Sequence, residues 1–160
     1  MSFRLRPAHF IIPLITVATA VIGSMFTTIG PWYRHLAKPA WTPPGSVIGT
    51  VWTEIFILSA ISAIILWQKG PRRNKNFSLL FTAFCLNACL NVFWSALFFG
   101  WHLIGLAVIE AFVLWLSVLL LMVLARKSSK TATWLLLPYL LWTAFATYLT
   151  FIIWRMNSGA

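Results

Sequence analysis

Apolar residues run through this chain in five long blocks, at 8–29, 46–67, 77–99, 103–125 and 132–154, each 22 or 23 residues long and separated from the next by a short polar segment. A helix needs about 20 apolar residues to cross a hydrocarbon core of about 30 Å, so each block predicts one membrane-spanning α-helix. None alternates with period two over successive segments of about ten residues, which argues against an outer-membrane type of β-barrel. The expected fold is an all-α integral membrane protein, a bundle of five transmembrane helices forming a single domain over residues 1–160, with the segment 30–45 as a lid. Arg4 and Arg6 followed by an apolar run and Ala18-Thr19-Ala20 resemble a secretory signal with a cleavage site. The run continues through Met25 and Phe26, longer than a signal core and long enough to span, so the first block is expected to be retained.

Composition agrees. Of 160 residues, 61% are hydrophobic, 9% are charged and only two are acidic, so a solvated surface of mixed charge cannot be assembled and a soluble globular enzyme is excluded. The net charge of +10 would point to nucleic acid if the basic residues shared a face. Instead they sit in the gaps between apolar blocks, where they act as topology signals, and no nucleic-acid partner is expected. Arg4, Arg6, Lys69, Arg72, Arg73, Lys75, Arg126, Lys127 and Lys130 fall on one side of a five-span chain. Arg34, Lys38 and Arg155 fall on the other. The excess of nine over three puts the amino terminus inside, and the 30–45 loop and the carboxyl terminus outside.

Ionisable groups inside spans are costly and usually face a bundle or a cavity. Glu54 and Glu110 both lie about 10–12 Å from the outer ends of their spans, at one membrane level. Asn87, Asn91 and Ser95 follow i, i+4, i+8 spacing and form one polar stripe on the third span. Two readings stay open for the stripe: hydrogen-bonding glue between helices, or the wall of a cavity opening toward the 30–45 loop. The second explains why polar groups gather in the outer half while the inner half is nearly all Leu, Ile, Val and Phe. Trp32, Trp41, Trp67, Trp101, Trp134 and Trp154 fall at span ends or in loops, where an aromatic belt is expected. Trp52, Trp94, Trp115 and Trp142 fall within spans. Apart from Trp115, read as volume filling, they suit the walls of a site for a large flat apolar ligand.

Cys85 and Cys89 stand two residues from Asn87 and Asn91, so at 100° per residue they point about 200° away from the stripe. Their spacing fits either the seam of a homodimer or a face turned to lipid. They make no disulfide framework, and His9, His35 and His102 are scattered without a metal-ligating pattern, so no metal is expected. The loop from Gly30 to Gly45 holds four prolines, Pro31, Pro39, Pro43 and Pro44, and three large aromatics, Trp32, Tyr33 and Trp41. Such a segment is stiff and predicts a lid packed on the mouth of the bundle.

The run Trp32-Tyr33-x-x-Leu36-x-Lys38-Pro39-x-Trp41-x-Pro43-Pro44 is followed by Val51-Trp52 and by Asn87-x-x-x-Asn91-x-x-Trp94-x-x-x-Phe98-Phe99-Gly100. Pro138-Tyr139-Leu140-x-Trp142-x-x-Phe145 and Trp154-Arg155-x-Asn157 complete the series. In order and content these motifs resemble the translocator protein/tryptophan-rich sensory protein family (TspO/MBR, the peripheral benzodiazepine receptors) over about four-fifths of the chain. The resemblance implies a five-helix membrane protein, commonly dimeric, that binds porphyrins such as protoporphyrin IX, haem and, especially in animal members, cholesterol and synthetic ligands, with no obligatory cofactor. By motif the pocket would take in Trp52, Asn87, Asn91, Trp142, Ala146 and the loop residues Trp32, Tyr33 and Trp41. Trp94 and Glu110 join them from the polar and aromatic pattern. Some bacterial relatives degrade protoporphyrin IX in light, which would make Trp52 and Trp142 the reactive pair. Two departures bear on this: Phe56 stands where a Tyr is common, and Leu149-Thr150-Phe151 replaces a Leu-Asn-aromatic run, so the animal sterol motif lacks its Tyr. The leading expectation is a porphyrin receptor with a role in tetrapyrrole regulation or stress response. A transporter, for which the two carboxylates would be coupling groups, and a light-dependent porphyrin-degrading protein are the alternatives.

Overall fold

The computed structural model describes residues 8–69 and 75–159. Among the described residues are seven α-helices, in order α1 (Ala8–Phe26), α2 (Pro31–His35), α3 (Gly45–Lys69), α4 (Lys75–Ser95), α5 (Ile104–Arg126), α6 (Lys130–Leu135) and α7 (Leu137–Asn157), and no strand. Five stretches, His9–Phe26, Gly45–Lys69, Ser78–Gly100, Ile104–Arg126 and Lys130–Asn157, are long and apolar enough to cross a membrane. The protein is therefore an all-α, multi-pass membrane protein, and its spans follow the five apolar blocks. Arg4, Arg6, Arg72 and Arg73, on which much of the orientation expectation rests, lie outside the described residues.

Three local features go beyond the apolar pattern. The fifth span is broken. Pro138 has no N–H to donate and its ring crowds the carbonyl four residues back, so α6 stops and α7 restarts around Leu136, whose N–H donates to Thr133 O at 3.1 Å in a tighter turn. Ser129 caps α6 by accepting from the Ala132 N–H at 3.3 Å. The third span ends in a π turn over Ala96–Gly100, closed by Trp101 N–H on Ala96 O at 2.8 Å, and His102 follows with φ 57°. The segment 30–45 contains α2, which begins on Pro31, the position where a missing N–H costs nothing.

Large apolar side chains face outward, among them Leu14, Met25, Ile109 and Leu141, and the interior mixes Ile55, Leu66, Leu121 and Leu136 with small residues such as Ala107, Ala111, Ser117, Ala125, Ser62 and Ala132. Lipid solvates Leu and Ile as well as a protein core does, so association rests on close approach of small residues and on hydrogen bonds between helices, such as Ser62 Oγ donating to Ala132 O at 2.8 Å.

The helices close into a ring. α5 packs against α4 on one side and α6/α7 on the other, α3 packs on α6, and α1 lies across both α3 and α4. The backbones of α3 and α4 stay apart, and side chains such as Trp67 and Phe81, ring centroids 5.9 Å apart, meet across the gap. α3 also makes little contact with α7 toward the loop. The space behind α1 is thus left open, and it is divided into two chambers, one under the loop and one toward the opposite face.

Candidate ligand-binding site

The chamber under the loop has a volume of about 280 Å³. α1 lends Thr19, Gly23 and Thr27; the loop lends Tyr33; α3 lends Gly49, Trp52 and Phe56; α4 and its π turn lend Asn91, Trp94, Ser95, Phe98 and Phe99; α7 lends Trp142, Phe145, Ala146 and Leu149. Its walls are apolar despite the threonines. Thr19 and Thr27 turn their hydroxyls back to Ile15 O and Gly23 O, both at 2.9 Å, which satisfies the donors within α1. At Gly23 α1 comes close to α4: a Cβ there would stand in ordinary contact, 3.7 Å from Ser95 Oγ.

Rings make up most of the surface. Trp94 stacks on Phe98 with centroids 5.3 Å apart and meets Phe99 edge-on at 5.9 Å. Trp142 lies 5.2 Å from Phe145, and Trp52 lies 5.8 Å from Phe56 and 6.1 Å from Tyr139. The indole N–H groups of Trp94 and Trp142 are buried with no acceptor among the described residues. Unpaired buried donors of this kind are uncommon in folded chains.

The chamber's base is a chain of hydrogen bonds running in one direction. Asn91 Nδ2 donates to Tyr139 Oη at 3.2 Å, Tyr139 Oη donates to Asn87 Oδ1 at 3.0 Å, Asn87 Nδ2 donates to Ser117 Oγ at 2.8 Å, and Ser117 Oγ donates to Leu114 O at 2.7 Å. Every hydroxyl in it has one donor and one acceptor, and Asn91, on the chamber wall, is its first member.

The loop covers this chamber and is fixed at three points. Trp32, Tyr33 and Leu36 pack on the cluster formed by Leu97, Phe98, Ala107 and Ile153, and Trp32 also stacks on His102 with centroids 3.8 Å apart. Asn157 accepts from the Ala37 N–H at 3.0 Å and donates to Ala37 O at 2.9 Å. Trp41 stacks on Tyr148 at 5.8 Å and meets Phe145 edge-on at 5.9 Å. Lys38 completes the fold of the loop. Its ammonium donates to Tyr33 O at 2.6 Å and Leu36 O at 3.1 Å and lies 4.6 Å over the Tyr33 ring, binding the carboxyl end of α2 as a cation suits a helix carboxyl terminus. Partial burial pushes the Tyr33 phenol up from its ordinary value, so this wall of the chamber is a neutral ring.

Of the residues expected at the site, the structure brings Tyr33, Trp52, Asn91, Trp94, Trp142 and Ala146 to one chamber. Four others lie elsewhere. Trp32 rests on the turn between the third and fourth spans, and Trp41 sits on α7, 47% exposed. Asn87 is one turn farther from the loop, bonded across helices to Tyr139 and Ser117, and lines the second chamber rather than this one. Glu110 is buried with neither oxygen bonded among the described residues. It does not reach the chamber because α5 contributes no wall residue; α4 and α7 close in front of it. Glu54, expected to turn inward with Glu110, is exposed. It is two residues past Trp52 and therefore about 200° around α3 from the chamber.

The sequence reading also passed over contributors. Span one supplies a whole wall, signalled by the spacing of Thr19, Gly23 and Thr27 along one face. Tyr139, which joins the two asparagines, and Asn157, which anchors the loop, both stand inside quoted motifs without having been given a role.

The comparisons with known proteins agree with this architecture. The model of the TspO/MBR family matches residues 11–155. The chain is 34% identical over 154 residues to the Tryptophan-rich protein TspO of Bacillus cereus, covering 96% of this chain and 99% of that protein. It is 31% identical over 160 residues to Protein CrtK of Rhodobacter capsulatus, covering 99% and 96% respectively, and 30% identical over 137 residues to the human Translocator protein, covering 80% and 76%. On the family match, the coverage of these relatives and the five-span ring with its aromatic chamber, the chain belongs to the TspO/MBR family.

Proposed function

We propose that the protein binds a flat, largely apolar tetrapyrrole, protoporphyrin IX or haem, in the chamber under the loop and acts as a membrane receptor for it. The observation that carries this reading is the chamber's composition: three in-span indoles and a ring of phenylalanines around about 280 Å³, closed by a loop pinned at three points. Aromatic stacking adds about 0.5–1.5 kcal/mol per ring pair beyond area burial. The amide of Asn91 on the chamber wall supplies a polar contact that orients a ligand in an otherwise apolar site. The same reading puts the loop on the outer face, from the nine-to-three distribution of Lys and Arg, and pairs two copies along the exposed face of α4 that carries Cys89.

A second reading has a specific observation in its favour. Trp52 and Trp142 border the same chamber, so a bound porphyrin excited by light would have two oxidisable indoles at hand. Titration of protoporphyrin IX into the purified protein, followed by tryptophan quenching and the porphyrin absorption band, tests both. Gly49→Leu places a side chain where a Cβ meets nothing within 4 Å, and Ala146→Trp fills the chamber from α7. Each variant is expected to weaken binding about ten-fold or more while helicity is kept, the equivalent of about 1.4 kcal/mol. Wild-type affinity in both would remove the chamber as the site. Illumination of the saturated complex then separates receptor from degrader: decay of the porphyrin band that persists unchanged in the Trp52→Phe/Trp142→Phe double variant excludes the degradative reading.

A further inference from the structure

The second chamber, behind α1 on the side away from the loop, has no place in the reading above. It holds about 100 Å³ and is lined by α1, α3 and α4, with Tyr139 at its base. Phe56 and Trp67, at its two ends on α3, are eleven residues apart, which makes it about 16 Å long. That is close to half of the roughly 30 Å hydrocarbon core, the depth of a single leaflet. It exists because α3 and α4 do not pack against each other and because Ala60, Ala63 and Ala88 leave its walls short. It is also open sideways. Ile15 of α1 and Phe81 of α4, 38% and 40% exposed, both line it, so the cleft reaches the outer, lipid-facing surface at those side chains.

We infer that this cleft is a second ligand site, filled by one acyl chain of a lipid from the leaflet away from the loop. The cleft runs about 16 Å along α3 yet holds about 100 Å³, against about 280 Å³ for the loop-side chamber. Among the described residues no charged side chain lines it; the hydroxyls of Thr16 and Thr19 are turned back to Ile12 O and Ile15 O, both at 2.9 Å, Asn87 and Asn91 are bonded to Tyr139, and Ser59 Oγ is left without a partner. An apolar void that opens on hydrocarbon takes up hydrocarbon, because lining atoms facing a void forfeit dispersion contacts that a chain restores. Its length, small volume and depth in the membrane therefore select a single extended chain over a ring system. The two chambers share Thr19, Phe56 and Asn91 as a partition, so the chain's end abuts the base of the loop-side site.

The chain's two native thiols provide the test. Cys85 lines the cleft, and Cys89, one turn on, is exposed outside it. The full-length protein in detergent is titrated with cis-parinaric acid, whose fluorescence gives the Kd, and then alkylated with N-ethylmaleimide, with each cysteine followed by mass spectrometry. At ten times the Kd, alkylation of Cys85 is expected to slow about ten-fold, since it proceeds only through the unoccupied fraction, while Cys89 keeps its rate. Ala63→Trp, which fills the cleft, is expected to abolish saturable binding of cis-parinaric acid, and Gly49→Leu, which fills the loop-side chamber, to leave it unchanged. Equal slowing of both cysteines, or loss of binding in Gly49→Leu with retention in Ala63→Trp, overturns the assignment. Should Ala63→Trp not fold, the protection of Cys85 over Cys89 in the unaltered chain decides alone. The outcome is independent of porphyrin binding, which these measurements do not involve.

Discussion

Tyr139 ties the fifth span to the third through one oxygen. It accepts from Asn91 and donates to Asn87 on α4, and Asn87 passes the chain to Ser117 on α5. Removing the hydroxyl leaves Asn91 without an acceptor for its Nδ2 and Asn87 Oδ1 without a donor, both in a buried setting. Tyr139→Phe is therefore expected to lower stability by about 1–2 kcal/mol, toward the upper end for hydrogen bonds between membrane helices. Unfolding in detergent measures it, and an unchanged midpoint would show that the chain of bonds carries no stabilising load. The asparagine stripe was legible in the sequence because i, i+4 spacing depends only on one helix's own geometry. Its partner was not, since nothing in a single helix says which residue of another span stands opposite. Glu54 shows the same limit from the other side: acids in spans usually face inward, but the phase of α3 is set by Trp52, Ile55 and Phe56, and Glu54 follows that phase outward.

At the scale of elements, the apolar blocks predicted the spans to within a few residues, because the length of a hydrophobic run is set by the thickness of the bilayer. The interruptions were harder to read. Pro138 announces a break, yet whether a span ends or restarts there depends on packing: α6 is held by α3 and α5, which keeps it in line with α7. Proline and aromatic content also identified the loop as a packed cover, but neither α2 nor the anchor at Asn157 follows from composition. That anchor can be tested. Asn157 makes two hydrogen bonds with Ala37 and a third to Ile153 O at 2.7 Å, all from the exposed end of α7. Asn157→Ala releases the middle of the loop while Trp32 and Trp41 keep its flanks in place. Ligand dissociation from the chamber is expected to accelerate about three- to ten-fold, the range given by losing one or two ordinary hydrogen bonds. Thermal stability should change little, because the residues lost to solvent are already exposed. Stopped-flow release of bound porphyrin is the measurement, and an unaltered rate would mean that the loop is held by its aromatics alone.

For the whole molecule, two outward faces of the ring of spans are candidates for contact with a second copy. One, on α4, carries Cys89 beside Leu86 and Phe93, 53% and 45% exposed; the other, on α3, carries Glu54 with Thr50 and Thr53, whose hydroxyls are bonded back to Ser46 O and Gly49 O. A two-fold dimer sets a surface against itself, so the residue nearest the axis meets its own copy. Pairing along α4 then brings two Cys89 thiols together, whereas Cys85 is turned into the cleft and stays apart from its counterpart. Mild oxidation in the membrane is expected to give a covalent dimer in the wild type and in Cys85→Ser, and none in Cys89→Ser. Cys89→Trp should lower the dimer fraction, because a large side chain at the seam keeps the helices from close approach. A protein that is dimeric by mass in bilayer discs yet yields no Cys89 cross-link would move the seam off α4. The face of α3 would then be the one to test, since a carboxyl group in hydrocarbon gains most from a partner that can exchange hydrogen bonds with it.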